Sequence, residues 1–260
     1  MACLTPISLK SGDIVPCGLC PGCMQRHRND WAIRLDFEAL HAVSLFFVTF
    51  TYDEKNESTM LDYNHLKCLW KRVRKNHKVT FRYFAVGEYG EINYRPHFHA
   101  LLFFDHMVTF NEIYEYMSNW TYGFIKIGTV TKGSIRYMLK DMLKERLQFE
   151  ELPKENRPAI RVSKGMGISY IENFKSFHRA SISERNYIRD DGKFFPIPRY
   201  YSEKLFSKME RKILRLKLQS TLDKKVFDTK EERLKARGLH YKIDVLKRRQ
   251  ESVNHFNKKL

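Results

Sequence analysis

Four runs of β-forming residues alternate with two amphipathic helices, and this order limits the fold more than any other feature of the chain. Leu45–Thr51 (LFFVTFT), Val79–Glu88 (VTFRYFAVGE), Arg95–Phe104 (RPHFHALLFF) and Tyr122–Val130 (YGFIKIGTV) are rich in aromatic and β-branched residues and bounded by turn formers. After the first run, Asp62 can cap a helix reaching about Asn76, with Leu66, Leu69, Trp70 and Val73 on one stripe and Lys71, Arg72, Arg74 and Lys75 elsewhere. The second and third runs lie close in sequence, so they read as an antiparallel hairpin. Thr109-x-x-Glu112 is a capping box for a short helix ending near Trp120. Strand, helix, strand, strand, helix, strand predicts an α+β fold, a ferredoxin-like antiparallel sheet with helices on one face and the other face open to a substrate.

The flanks divide the chain further. Residues 1–30 form a Cys-rich segment, 31–150 the catalytic domain, 151–202 a loop-rich extension packed on it, and 203–260 a basic helical tail. Residues 24–42 read as an amphipathic helix, and Ser134 starts another through about Leu147. Ser163–Gly167 lacks phosphate-loop spacing and reads as a tight basic turn; Pro196–Tyr201 reads as an extended segment. The tail carries 18 Lys and Arg against 8 Asp and Glu.

Overall, 47 Lys and Arg face 30 Asp and Glu, a net charge of +17 that points to a polyanionic partner. No apolar run approaches the roughly 20 residues of a membrane-spanning helix, so nucleic acid is expected rather than membrane. The N-terminus has no signal-peptide pattern, which gives a cytoplasm as the expected location. Four of the five cysteines fall in the first 23 residues. Cys17, Cys20 and Cys23 form a C-x2-C-x2-C run in a Gly/Pro turn, and Cys3 would complete a four-sulfur site for structural Zn2+. Free thiols and an iron–sulfur cluster are the competing readings. Cys68 is expected to be a packed core thiol.

The Arg95–Phe104 run carries the chemistry. Side chains alternate on a strand, so His97 and His99 share one face and can grip one divalent ion. Glu88, ending the neighbouring strand, is the expected third ligand, with Glu91 in the turn as its competitor; two imidazoles and one carboxylate leave coordination positions open. On the Ser134 helix, Ile135, Leu139, Met142 and Leu143 face one way, while Tyr137, Lys140 and Lys144 cluster opposite. A tyrosine beside lysines is a candidate nucleophile with a stabilised phenolate, although an exposed tyrosine on a basic helix is more often inert.

The blocks Phe47–Tyr52, His97-Phe-His99 and Tyr137-Met-Leu-Lys140 occur in the order of the three motifs of HUH-superfamily rolling-circle initiators, which they resemble. With the cysteine cluster, Trp31–Arg34, Val86–Gly90, Arg95–Leu102 and Pro198–Tyr201, the chain over residues 1–201 is similar to the replication initiators of Microviridae, gokushovirus type. The resemblance implies an HUH endonuclease fold and Mg2+ or Mn2+ on His97, His99 and Glu88. It also implies Tyr137 as the nucleophile that forms a 5′-phosphotyrosine and frees a 3′-OH primer, with Lys140 assisting. Arg95, Arg136 and Lys144 are the expected DNA contacts, and a host helicase or polymerase the expected protein partner, in a bacterial cytoplasm. One position departs from the family. Microvirus initiators carry a second tyrosine one turn after the first, where this chain has Asp141, which puts alternating paired tyrosines in doubt. The alternative function is a non-catalytic single-stranded nucleic-acid-binding protein.

Overall fold

The computed structural model describes residues 3, 6–10, 14–18, 20–56, 60–90, 93–141, 151–190 and 192–224, with the side chains of 8, 14, 140, 141 and 218–224 outside that description. The chain divides into two compact units, one of residues 34–167 and one of residues 1–33 with 168–260. The division falls inside α1 (Pro21–Ala39).

The 34–167 unit is built on β3 (Ser44–Tyr52), α2 (Tyr63–His77), β4 (Arg82–Tyr89), β5 (Pro96–Phe104), α3 (Phe110–Met117), β6 (Gly123–Thr129), α4 (Lys132–Asp141) and β7 (Ile160–Val162). Its sheet has the order β6-β3-β5-β4-β7, antiparallel at every pairing. The first four strands are the ferredoxin-like arrangement, and β7 adds a fifth by pairing Val162 with Phe84 on the free side of β4. The helices start where the sequence signals them. The Asp62 side chain accepts from Asn64 N at 2.8 Å, and Thr109 and Glu112 form both halves of a capping box.

One face of the sheet meets the helices. Phe46, Val48, Phe50 and Tyr52 of β3 and Phe98, Ala100, Leu102 and Phe104 of β5 share a core with Leu66, Leu69, Trp70 and Val73 of α2 and Ile113 and Met117 of α3. Each buried side chain of this size contributes about 1.5–3 kcal/mol by leaving water. The other face, expected to be open, is largely covered. Phe84, Val86, Leu101 and Phe103 are buried there, leaving the half-buried His97 at its end. These residues are as apolar as the helix-facing row and need cover for the same reason. Cys68 corrects a second expectation: it is exposed, because it sits on the side of α2 away from the Leu66/Leu69/Trp70/Val73 stripe.

The stretch read as loops, 151–202, is more regular than its sequence suggests. Besides β7 it contains α5 (Ser169–Ala180), a hairpin of β8 (Tyr187–Asp190) and β9 (Lys193–Pro196), and α6 (Arg199–Leu205). These elements were hidden because the strands are only three or four residues long and neither helix has a side-chain N-cap bond. Pro198, expected in an extended segment, instead leads into α6. The expected charged helix is present as α7 (Lys208–Lys224); the rest of the tail lies outside the described residues. Among the described residues, no helix is long and apolar enough to cross a membrane.

In the other unit, the Tyr170 and Tyr201 rings stack at 4.6 Å, joining α5 to α6. Beside them His178 is fully buried. Its Nδ1 donates to Arg185 O at 2.6 Å, leaving Nε2 to accept from Tyr170 OH at 2.6 Å, so the ring is held neutral. Burial lowers its pKa from the ordinary value and outweighs the opposing Arg185 bond. Because the folded pKa is the lower one, acid favours the unfolded chain, which takes up the proton first. Stability is therefore lost as pH falls below about 6.5, by up to about 1.4 kcal/mol per pH unit from this group. Urea midpoints at pH 5 and pH 7 are expected to differ less in His178→Gln than in the unaltered chain; equal differences in the two proteins would refute the assignment.

Candidate functional site

The register of β4, β5 and β3 assembles the site. Glu88 lies directly opposite His97, and Val86 opposite His99, so the alternation of both strands puts Glu88, His97 and His99 on one face. On the far side of β5, Thr51 lies opposite His97 and Thr49 opposite His99. Glu88 Oε1 is 2.8 Å from His97 Nε2 and 2.7 Å from His99 Nε2, and both of these nitrogens therefore aim at one point.

The other ring nitrogens are held as well. His97 Nδ1 donates to Arg95 O at 3.1 Å, and His99 Nδ1 is 2.9 Å from Thr49 Oγ1. These partners fix both rings and favour the tautomer whose Nε2 lone pair is free for a metal. The turn before β5 is shaped to present Arg95 O. Gly90 N donates to it at 3.1 Å, Tyr94 N donates to Gly90 O at 3.0 Å, and Tyr94 takes a left-handed φ of 50°. Glu91 lies outside the described residues.

The electrostatics suit a cation site. Burial alone would raise the Glu88 pKa, but hydrogen bonds and charge from His97 and His99 bring it down to about 2. Burial disfavours a charged His97, yet the Glu88 carboxylate and the Arg95 carbonyl prevail and raise its pKa above the ordinary value. With the ion absent, protons on the imidazoles neutralise the carboxylate. A divalent ion on the same three atoms would do so instead, and the mixed N,N,O set with open positions fits Mn2+ or Mg2+.

Tyr137 stands beside this group. Its ring centroid is 6.1 Å from that of His99, while Ile135, Met138 and Leu139 bury the opposite side of α4. Tyr137 is 51% exposed, which leaves its phenol accessible to a large substrate. Arg136 is exposed next to it, and Arg95 is exposed at the entrance to β5. Lys140 occupies the position three residues on in α4, but its side chain lies outside the described residues, as does Lys144.

Three contributors went unnoticed in the sequence. Thr49 orients His99. On β6, Phe124 lies opposite Thr51 and Lys126 opposite Thr49, so both stand on the His97/His99 face at an exposed edge. Phe124 is 69% exposed, unusual for an aromatic on a strand. Only cross-strand register reveals this alignment, although the alternation of Phe124 and Lys126 with apolar Ile125 and Ile127 was a signal.

The four N-terminal cysteines gather in the other unit, with their Sγ atoms within 4.8 Å of one another. Burial first, then the thiols of Cys20 and Cys3, push the Cys23 thiol well above its ordinary range.

Comparison with known proteins agrees with the fold. Residues 45–146 match the family of the replication-associated protein ORF2, a span that includes Glu88, His97, His99 and Tyr137. The chain is 28% identical to replication-associated protein VP4 of Bdellovibrio phage phiMH2K, over 78% of this chain and 76% of the relative. It is 26% identical to replication-associated protein ORF2 of Spiroplasma virus 4, over 74% and 68%. Replication-associated protein ORF4 of Chlamydia phage 1 is 23% identical over 74% of this chain and 53% of its own length. No solved structure matches significantly. The chain thus carries, at residues 45–146, a domain of the replication-associated protein ORF2 family, and its relatives are phage replication-associated proteins.

Proposed function

We propose that the chain initiates rolling-circle replication by nicking single-stranded DNA at an origin, with Tyr137 as nucleophile. The observation that carries this reading is the convergence of Glu88, His97 and His99 on one point, with the Tyr137 ring beside His99. A bound Mg2+ or Mn2+ supplies Lewis-acid polarisation of the scissile phosphate. Glu88, His97 and His99 hold it, and Arg95 O and Thr49 keep the imidazoles in the ligating orientation. Tyr137 Oη attacks phosphorus as its proton leaves, the bond to the 3′-oxygen breaks, and that oxygen takes up a proton. The products are a 5′-phosphotyrosine and a free 3′-OH primer. Attack of a 3′-OH on the phosphotyrosine restores the phenol and rejoins the strand. With Asp141 where a second tyrosine would stand, one tyrosine serves both steps.

The approach of DNA is supported by charge and by the edge of the sheet. Phe124 offers a stacking surface and Lys126 a phosphate contact on the metal-site face, with Arg95 and Arg136 near its margins. The reaction takes place in the cytoplasm of a bacterial host, where host polymerase and helicase extend the primer and open the duplex.

The test is a denaturing gel of the full chain incubated with labelled single strands from its own replicon. With Mn2+ a protease-sensitive covalent adduct is expected; with EDTA, or in Tyr137→Phe, none. An adduct that survives Tyr137→Phe would move the nucleophile to another tyrosine. Metal-dependent cutting without an adduct would indicate water as nucleophile, and binding alone would leave a non-catalytic DNA-binding protein.

A further inference from the structure

Four thiols from two stretches of the N-terminal segment form a cage that the DNA chemistry does not use. Cys3 precedes a small hairpin of β1 (Ile7–Ser8) and β2 (Ile14–Val15), Cys17 and Cys20 follow it, and Cys23 lies in the first turn of α1. All four carry reduced thiols. The Cys3 and Cys20 sulfurs are 3.9 Å apart and those of Cys17 and Cys23 4.0 Å. These separations are far beyond a disulfide bond of about 2 Å. They are close to the edge of a tetrahedron, since four sulfurs each about 2.3 Å from a central ion stand about 3.8 Å apart.

The backbone is wound to favour thiolates. Cys17 N approaches Cys3 Sγ at 3.3 Å, Cys20 N approaches Cys17 Sγ at 3.3 Å, and Cys23 N approaches Cys20 Sγ at 3.4 Å. Amide donors aimed at sulfur stabilise its anion, as does the N-terminal end of α1. Four thiolates this close repel one another strongly unless a cation sits between them. A four-iron cluster would put a separate iron at each thiolate and spread the sulfurs beyond this spacing.

We propose that Cys3, Cys17, Cys20 and Cys23 hold one Zn2+ in a closed tetrathiolate site that fastens the segment before the β1–β2 hairpin to the head of α1. Four protein ligands leave no open position, so the ion is structural and separate from the centre at Glu88, His97 and His99. Four Zn–S bonds form as each thiol gives up its proton to solvent. Two-residue strands cannot hold a hairpin by themselves, so the local fold depends on the ion. The cysteines lie outside the family match at 45–146, and the site stands whether or not the chain nicks DNA.

The test uses the full chain with His97→Ala and His99→Ala, which removes the other candidate ligands, purified under reductant from zinc-supplemented cells. About one zinc per chain is expected to survive dialysis. Replacement by Co2+ should give thiolate-to-metal charge transfer with the intense visible bands of a tetrahedral ion. Cys3→Ser leaves three thiolates and the least disturbed fold; it is expected to weaken zinc binding more than about 100-fold. Cys20→Ser should do the same, while Cys68→Ser changes nothing. Absence of zinc with no thiolate band on Co2+ addition would overturn the proposal, as would iron with acid-labile sulfide. Unchanged zinc affinity and Co2+ spectrum in Cys3→Ser would overturn the four-ligand assignment.

Discussion

Replacing Glu88 with alanine is expected to lower metal-dependent cleavage about 1,000-fold, the loss that several kcal/mol of transition-state stabilisation represents. Glu88 Oε1 is the atom on which both imidazole Nε2 groups converge, at 2.8 and 2.7 Å. It also provides the negative charge among the three candidate ligands. Two neutral imidazoles alone bind a hard cation poorly, because Mg2+ and Mn2+ prefer oxygen donors. Glu88→Gln keeps the shape and a carbonyl oxygen but loses the charge, and is expected to fall nearly as far. Calorimetric titration with Mn2+ separates this effect from folding: Kd should rise at least about 100-fold while the urea midpoint changes far less. The sheet hydrogen bonds around Glu88 are made by backbone and survive either change. If Glu88→Ala bound Mn2+ as the unaltered chain does, the carboxylate ligand would be another residue, with Glu91 the first to examine.

The path from sequence to this centre was short because the pieces are local. His97 and His99 are two residues apart on one strand, and Glu88 lies in the adjoining arm of a hairpin, so alternation and a short connection suffice to bring them together. The strand–helix order, the Asp62 cap and the Thr109/Glu112 box were legible for the same reason. What the sequence concealed depends on distant pairing. Thr49 reaches His99 only because β3 lies beside β5, and Phe124 and Lys126 join the same face only through the register of β6 on β3. Burial of the second sheet face was equally hidden. Phe84, Leu101 and Phe103 look like ordinary strand residues until one asks which face the helices already occupy. Cys68 was misjudged from residue type, where its angle on α2 away from the buried stripe was the better guide. In the cysteine segment the C-x2-C-x2-C spacing announced a cluster, but the inclusion of Cys3 follows from the hairpin that returns the chain.

Two glycines on β6 provide the sharpest test of that long-range register, because the same substitution should have opposite consequences at two points roughly 16 Å apart along one strand, at about 3.3 Å per residue. Gly123→Ala is expected to cost more than about 3 kcal/mol. Gly123 has a φ of 153°, which side-chain-bearing residues rarely adopt, and an added Cβ would run into the backbone at Asp53 N and Thr51 O. Neither atom can yield cheaply. Asp53 N donates to Tyr122 O at 3.0 Å, and Thr51 O accepts from the buried indole of Trp120 at 3.1 Å. Displacing Thr51 also disturbs the residue opposite His97, so Mn2+ affinity should fall along with stability. Gly128→Ala meets open space, with no atom within 4 Å of the new Cβ, and is expected to change stability by no more than about 0.5 kcal/mol. Urea denaturation of the two variants, paired with Mn2+ titration, decides the matter. Equal stabilities would mean that β6 does not enter the sheet at Gly123 in this register, and would remove Phe124 and Lys126 from the face on which His97 and His99 stand.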